Sequence, residues 1–370
     1  MNILAINWQC IKNPMSGGAE VHFQEIFKRI VCMGHTVTLL SCLYQGAKQE
    51  EIIDGIRVLR KGNRNTFNYI VRSFYKKIAS EEKFDIVIDD INKIPFYTPL
   101  FVKEPLLCIS HHFFGTSIFR EANFIAGTYV IANEWLMKFV YRKTPFVVVS
   151  QSTLDEFKKK GFDETNFSII HNALDHKYFH FKLTQKPEEP TITYFGRLKK
   201  YKSVDNLFYA FANILKKYPN AKLKIIGKGD FRPTLEKIAK ELNIENSIIF
   251  LGFVKDEDKC FELSNSHCVV NTSMKEGWGI TNLEANACGT LVISANVPGL
   301  RDSVKDGESG LLYEYGNIED LTNCILKVLD DDNYRTKLSE GAIKWAKSFD
   351  WDTSAKQMLQ KCEEIIKKQK

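Results

Sequence analysis

The sequence predicts an α/β protein of two doubly wound domains facing each other across a cleft. Three observations predict it. The chain has 370 residues, more than one hydrophobic core usually holds. Short apolar runs alternate with longer amphipathic segments throughout, as βαβ units building parallel sheets do. A polar stretch bearing Asp175, Pro187, Glu188, Glu189 and Pro190 interrupts the alternation once. The domains are accordingly drawn over residues 1–180 and 181–350, with a closing helix over 351–370 that packs back on the first.

In the first half, strands are expected near 3–7, 36–41, 85–89, 106–110, 146–149 and 168–171. Helices should start near Ala19, Phe67, Phe119 and Thr153. After the break, strands fall near 192–195, 223–226, 248–251, 268–270 and 291–294. Helices lie between them near 203–217, 231–242, 255–263 and 280–288. Three helical segments near 318–329, 334–348 and 352–368 complete the chain.

Composition narrows the class further. With 44% apolar and 26% charged residues the chain can bury a large core, which excludes a disordered or fibrous protein. The cysteines number nine, without a C-x-x-C pair, and most sit in apolar runs; reduced thiols and a cytoplasmic location are expected. No run approaches the ~20 apolar residues of a spanning helix, and Ile3 to Ile6 follow Met1 without a basic leader. The net charge of +6 is mostly N-terminal. Between Asp54 and Glu81 there is no acid, whereas Arg57, Arg60, Lys61, Arg64, Arg72, Lys76 and Lys77 occur. With Phe67, Tyr69, Phe74 and Tyr75, residues 57–77 read either as a peripheral helix drawn to anionic lipid or as a solvated face with core-facing aromatics. The mild charge and the lack of a zinc-finger or RNA-binding signature argue against a nucleic-acid partner.

Four segments carry residues suited to chemistry. Gly17 and Gly18, between a strand and a helix, form either a tight turn or a backbone cradle for an anion. This is neither the G-x-G-x-x-G fingerprint nor a Walker loop, and Gly227-Lys228-Gly229 has Arg232 where a third glycine would be needed. A nicotinamide cofactor is disfavoured. The strand near 106–110 ends in His111 and His112. Neighbouring residues of an extended chain point to opposite sides, so one of the two can face a ligand, or both are ordinary histidines. No nearby Cys/His pattern completes a zinc site. Arg197 and Lys202 follow another strand. A guanidinium fork and a movable ammonium suit a diphosphate, or they belong to a solvated basic turn. In the segment 276–289, Glu276 and Glu284 bracket a glycine-bearing loop entering a helix. Carboxylates accept paired hydrogen bonds from vicinal hydroxyls, and Gly277 and Gly279 leave N–H groups for sugar or phosphate oxygens. The spacing Thr281-x-x-Glu284 also matches a capping box.

Taken in order, these segments resemble the retaining nucleotide-sugar glycosyltransferases of family 4, which have the GT-B fold. The resemblance rests on Gly17-Gly18-Ala19-Glu20, Val148 to Ser152, Ile170 to Asp175, Phe195-Gly196-Arg197-Leu198 with Lys202, and the E-x7-E signature from Glu276 to Glu284. The runs 291–299 and 307–312 also look like those of the family. It implies that Arg197 and Lys202 bind the donor diphosphate, that Glu284 holds the ribose hydroxyls, and that Glu276 contacts the donor sugar. Gly277, Gly279, Ile280 and Thr281 would line that site. Gly17 and Gly18 would close on it from the first domain, with His111 or His112 at the reaction centre. Ala173 and Ser203 stand where the family has glycine, and Trp278 where Phe is common. The expected activity is transfer of a hexose-type sugar from a nucleoside diphosphate to a hydroxyl of a glycan or lipid-linked acceptor, with no cofactor and no metal. Two alternatives are a metal-dependent transferase using Asp89-Asp90 or Asp330-Asp331-Asp332, and a binding or scaffold protein that keeps the fold without catalysis.

Overall fold

The structure is a computed structural model, and it describes residues 1–92, 94–181 and 186–369. The chain divides into two units, Met1–Asn172 with Trp351–Lys370, and Ala173–Asp350. Each is a parallel-sheet α/β unit.

In chain order the first unit runs β1 (Asn2–Ile6), α1 (Gly18–Cys32), β2 (Thr36–Ser41), β3 (Glu50–Ile53), β4 (Ile56–Arg60), α2 (Phe67–Glu81), β5 (Ile86–Ile91), β6 (Leu106–Ser110), α3 (Phe124–Val140), β7 (Phe146–Val148), α4 (Gln151–Lys159) and β8 (Phe167–Ile169). The sheet order is β3-β4-β2-β1-β5-β6-β7-β8. All pairs are parallel except β3 with β4. Strands β1, β5 and β6 are apolar apart from Asn2, the two acids of β5 and Ser110, because a central parallel strand is covered on both faces. Phe146 stacks on Phe167 at 5.1 Å and meets Phe157 at the same distance, closing the core under β7 and β8. Ser150 caps α4 by accepting the Thr153 N–H at 3.1 Å, and Asn123 caps α3 through the Ala126 N–H at 2.9 Å.

The second unit runs β9 (Thr191–Phe195), α5 (Val204–Leu215), β10 (Lys222–Ile226), α6 (Arg232–Glu241), β11 (Ile248–Gly252), α7 (Asp256–Ser264), β12 (Cys268–Asn271), α8 (Ile280–Ala287), β13 (Val292–Ala295), α9 (Leu300–Ser303), β14 (Gly310–Tyr313), α10 (Ile318–Asp330) and α11 (Asp332–Ala346). Its six strands lie in the order β11-β10-β9-β12-β13-β14, all parallel. The last helix, α12 (Trp351–Gln369), belongs to the first unit. There Trp351 lies edge-on to His22 at 6.0 Å and Arg29 Nε donates to Asp352 Oδ1 at 2.6 Å, so α12 packs on α1.

Several expectations need correction. The first unit ends at Asn172 rather than at residue 180, because Leu174 bridges to Asp350 and His176 Nε2 meets the Phe349 carbonyl at 2.9 Å. Part of the proline-bearing stretch, 182–185, lies outside the described residues. The basic segment 57–77 is not one helix. Its first residues form β4, where the Arg57 guanidinium pairs with Glu50 at 2.7 Å and the buried Arg60 with Glu51 at 3.0 Å. The acids missing from the segment are thus supplied by β3. Phe67, Phe74 and Tyr75 of α2 are buried, and only Tyr69 of the four aromatics is exposed. The expected helix near Phe119 is a 3-10 turn over Gly115–Arg120, with α3 starting at Phe124. Asp89 accepts bonds from Tyr141 Oη at 2.8 Å and from Thr98 Oγ1, whereas Asp90 accepts from Asn7 Nδ2 at 2.7 Å. The two carboxylates therefore serve different partners instead of converging as a metal-binding pair. Asp330 pairs with Lys217, Asp331 caps α11 and Asp332 pairs with Arg335.

Candidate active site

In an open parallel sheet the crevice for a ligand opens at the carboxyl ends of two strands whose connections run in opposite directions. In the second unit those strands are β9 and β12, neighbours in the sheet although two strands separate them in the chain. The loop leaving β9 carries Arg197 and Lys202, and the loop leaving β12 carries Glu276. The topology thus brings together residues more than seventy positions apart.

The two loops are joined directly. Lys202 Nζ donates to Glu276 Oε1, with both side chains largely buried at 13% and 19% exposure. Thr272 Oγ1 donates to the Lys202 carbonyl at 2.8 Å, and the Met274 N–H to the Tyr201 carbonyl at 2.9 Å. Burial opposes the charge of Lys202, but the Glu276 carboxylate, with Tyr201 and Tyr194, outweighs it and raises the ammonium's pKa. Lys202 is a fixed cation. Arg197 is exposed, and the Tyr194 hydroxyl donates to its carbonyl at 3.1 Å. The Gly227-Lys228-Gly229 loop braces this turn from beneath. A Cβ at Gly227 would lie 1.9 Å from the Gly196 carbonyl oxygen, so those glycines serve a close approach between loops.

The signature loop has a defined shape. Gly279 adopts a left-handed φ of 94° as the N-cap of α8. A Cβ there would come within 2.8 Å of Ser303 Oγ and 2.9 Å of Leu300 Cδ2. Ile280 and Thr281 consequently open α8, and Thr281 lies inside the helix instead of capping it. The capping-box reading of Thr281 and Glu284 therefore fails. Glu284 is the fifth residue of α8, one turn further along. Beneath the loop, Asn282 Nδ2 donates to Ser303 Oγ at 2.9 Å and Asn271 Nδ2 to Asn282 Oδ1 at 3.0 Å. Trp278 is buried edge-on to Phe349 at 5.3 Å. Gly277 begins this turn, and the Glu276 N–H approaches the Pro298 carbonyl at 3.5 Å.

The sequence reading missed Gly299, although it lies in a run matched to the family. Its φ is 82°, and a Cβ would sit 2.1 Å from the Glu276 carbonyl oxygen. It sets where Glu276 stands. Ser203, in a position where the family has glycine, does adopt the left-handed region at φ 48°, and its hydroxyl lies 2.9 Å from Tyr315 Oη.

In the first unit the corresponding switch lies between β1 and β5. Gly17 and Gly18 open α1 there, and the Gly17 N–H donates to Glu20 Oε2 at 2.6 Å. The amide of Gly17 is thus used by the helix's own third residue. Of the two histidines, His111 turns inward: its Nε2 lies 3.1 Å from Asp90 Oδ1, and its ring lies edge-on to His22 at 5.0 Å. His112 is partly exposed and lies against Phe114 at 4.7 Å. Glu20 has a raised pKa, chiefly from burial, opposed by the Gly17 N–H and pushed further up by Asp90. Asp90 is the partner of His111, a role that the sequence alone left unassigned. Their pairing depends on which strands become neighbours.

Comparison with known proteins covers the same two units. The family described as glycosyl transferases group 1 matches residues 175–345, and that described as glycosyltransferase family 4 matches residues 16–178. An uncharacterized glycosyltransferase of Methanocaldococcus jannaschii is 26% identical, over 97% of each chain. The D-inositol 3-phosphate glycosyltransferase of Corynebacterium kroppenstedtii is 32% identical over 48% of this chain and 41% of its own. Among solved structures, sucrose-phosphate synthase of Thermosynechococcus elongatus superposes with a TM-score of 0.83 at 19% identity, covering 98% of each chain. HepE of Anabaena, solved with UDP-glucose, gives 0.77 at 20% identity, covering 98% of this chain and all of the other.

Proposed function

From the premise that the chain is a glycosyltransferase of group 1 with the GT-B fold, we propose that it moves a hexose-type sugar from a nucleoside diphosphate to an acceptor hydroxyl, with retention at the anomeric carbon and without a metal. One observation carries the reading: the buried Lys202–Glu276 pair between the loops of β9 and β12. The bond that breaks joins the anomeric carbon to a phosphate oxygen, and the bond that forms joins that carbon to the acceptor oxygen. The nucleoside diphosphate leaves carrying the electron pair, and the acceptor hydroxyl passes its proton to the departing phosphate oxygen. Charge therefore grows on the phosphate.

Lys202 would meet that charge as a preorganised ammonium, and Arg197, exposed on the same loop, would add a fork of donors. The N–H groups of Ile280 and Thr281, ahead of the first bond of α8 from the Asn282 N–H to the Gly279 carbonyl, suit an oxygen of the sugar or phosphate. With an ammonium against it, Glu276 serves as an acceptor for donor hydroxyls, and Glu284, from the helix, would take the ribose. Gly277, Gly279, Ile280 and Thr281 shape the wall between them. Gly17, Gly18 and His111 belong to the acceptor-side unit in this reading, with Asp90 holding His111 in place. That HepE was solved with UDP-glucose supports a nucleotide sugar as donor. A glycan or lipid-linked acceptor of the cell surface fits the family's chemistry.

The test is to offer the purified protein a panel of nucleotide sugars with glycan and lipid extracts, with chelator present, and to identify products by mass spectrometry. One donor should be consumed and its sugar transferred. Consumption of none contradicts the reading and favours a scaffold. Activity lost in chelator and restored by manganese contradicts the metal-free part of it.

A further inference from the structure

The helix α3 is apolar on the face that should be polar. Its buried stripe is Gly127, Val130, Glu134 and Met137, the spacing of a helix seated on a core. The opposite side carries Phe124, Ile125, Trp135, Leu136 and Phe139, with Ile125 81% exposed and Trp135 and Phe139 each 57% exposed. Exposed apolar residues scattered singly are normal, whereas a contiguous row along one helix marks a contact surface. Glu134, the one acid of α3, is turned inward and accepts the Phe114 N–H at 2.6 Å.

The rim of this face is basic. Lys138 Nζ lies 5.4 Å from the Trp135 ring and 4.9 Å from the Phe139 ring, and Arg142 and Lys143 follow as exposed residues. Across the surface, Tyr69 Oη of α2 lies 3.4 Å from Tyr129 Oη of α3, and Arg72 and Lys76 share the exposed side of α2 with Tyr69. Beside the end of α3 opens a cavity of about 340 Å³ whose lining includes the apolar Leu106, Phe139 and Val140 and the cationic Arg142 and Lys143.

We infer that the exposed face of α3, with its rim of Lys138, Arg142 and Lys143, is a docking surface for an anionic lipid bilayer. Large aromatic and aliphatic side chains enter the acyl boundary while lysine and arginine stay at the phosphates, which is how an interfacial helix binds. The helix lies on the membrane and does not cross it. Its 17 residues span ~25 Å, short of the ~30 Å hydrocarbon layer, and among the described residues no helix is long and apolar enough to cross a membrane. A second copy of the chain suits the face less well. A two-fold contact through it would place the basic rims of both copies in one interface, with the one acid of α3, Glu134, turned inward and unable to pair them. The bilayer contact stands apart from the transfer reaction and is read without any donor.

Sedimentation of the full chain with vesicles tests it. Wild type should pellet with mixed phosphatidylglycerol–phosphatidylcholine vesicles, less with phosphatidylcholine alone, and less again as salt shortens the screening length. The double substitution Trp135→Glu with Phe139→Glu should lower partitioning about tenfold or more, with the thermal unfolding midpoint kept because both side chains are exposed. Lys138→Glu with Arg142→Glu should remove the preference for anionic vesicles. If the charged variants fail to fold, quenching of wild-type tryptophan by brominated lipid, lost in Trp135→Phe, reads the same contact. Absence of wild-type pelleting, or unchanged pelleting of the folded double variant, overturns the inference. So does a lipid-free dimer in sedimentation velocity that the same double variant abolishes.

Discussion

The ammonium of Lys202 is held by the carboxylate of Glu276 at the point where the second sheet reverses its winding, and neither residue has that role without the other. Burial alone would weaken the charge of Lys202, and Glu276 restores it. Glu276→Gln should therefore let Lys202 lose its proton at lower pH. The alkaline limb of the pH–rate profile moves down, and turnover near neutrality falls by about a hundredfold if the cation works on the leaving phosphate. An unmoved limb would separate the two residues.

Gly299 never touches the donor in this account, yet it sets the Glu276 backbone. Gly299→Ala should weaken donor affinity in calorimetry about tenfold and cost about 2 kcal/mol of stability, from the left-handed backbone and the Cβ contact together. Gly227→Ala, under the Arg197 turn, should cost a similar amount for the same steric reason.

Ser203 tests backbone strain separately. A β-branched residue is strongly disfavoured at φ 48°, so Ser203→Val should lower stability by about 2 kcal/mol. Ser203→Gly trades the Tyr315 hydroxyl contact for an unstrained backbone and should stay within about 1 kcal/mol of wild type. Denaturant unfolding of the pair measures both.

Asp89 carries the clearest pH dependence. Burial raises its pKa from 3.8 to about 7, against the hydrogen bonds from Thr98 and Tyr141. The folded state therefore holds a proton that the unfolded chain releases. This contribution is complete below about pH 3.8 and is lost as pH rises through 7. Asp89→Asn should remove that slope, worth on the order of 4 kcal/mol between the two limits. Identical pH dependence of unfolding in the two proteins would show that Asp89 does not titrate there.

Much of this architecture could be read from the chain. The alternation of apolar runs located β1, β2 and the central strands, since strands buried on both faces leave a plain signal. The β3–β4 hairpin is hidden because Arg57 and Arg60 stand out as part of a charge run and mask the alternation of the strand. The available cue was Asp54-Gly55, both at positive φ, a turn pair that joins two strands. Glu276, Lys202 and the loop glycines were legible as types at a spacing. Their pairing was not, because it depends on β9 lying beside β12. The same holds for His111. Its sequence leaves two orientations open, and Asp90 and His22 decide between them only once β1, β5 and β6 are adjacent.

His111 should accordingly depend on Asp90. Asp90→Ala removes the acceptor at Nε2 and leaves the ring buried near His22; kcat should fall about tenfold or more while donor affinity, a property of the other unit, stays unchanged. Asp90→Asn should recover part of the loss.

The most direct measurement is calorimetric titration of UDP, GDP and ADP into wild type, Arg197→Ala and Lys202→Ala. The account predicts that one nucleotide binds wild type and that each substitution weakens it at least about tenfold, the loss of one charge-assisted contact to phosphate. Equal affinity in all three proteins, or no binding of any nucleotide to wild type, would contradict it.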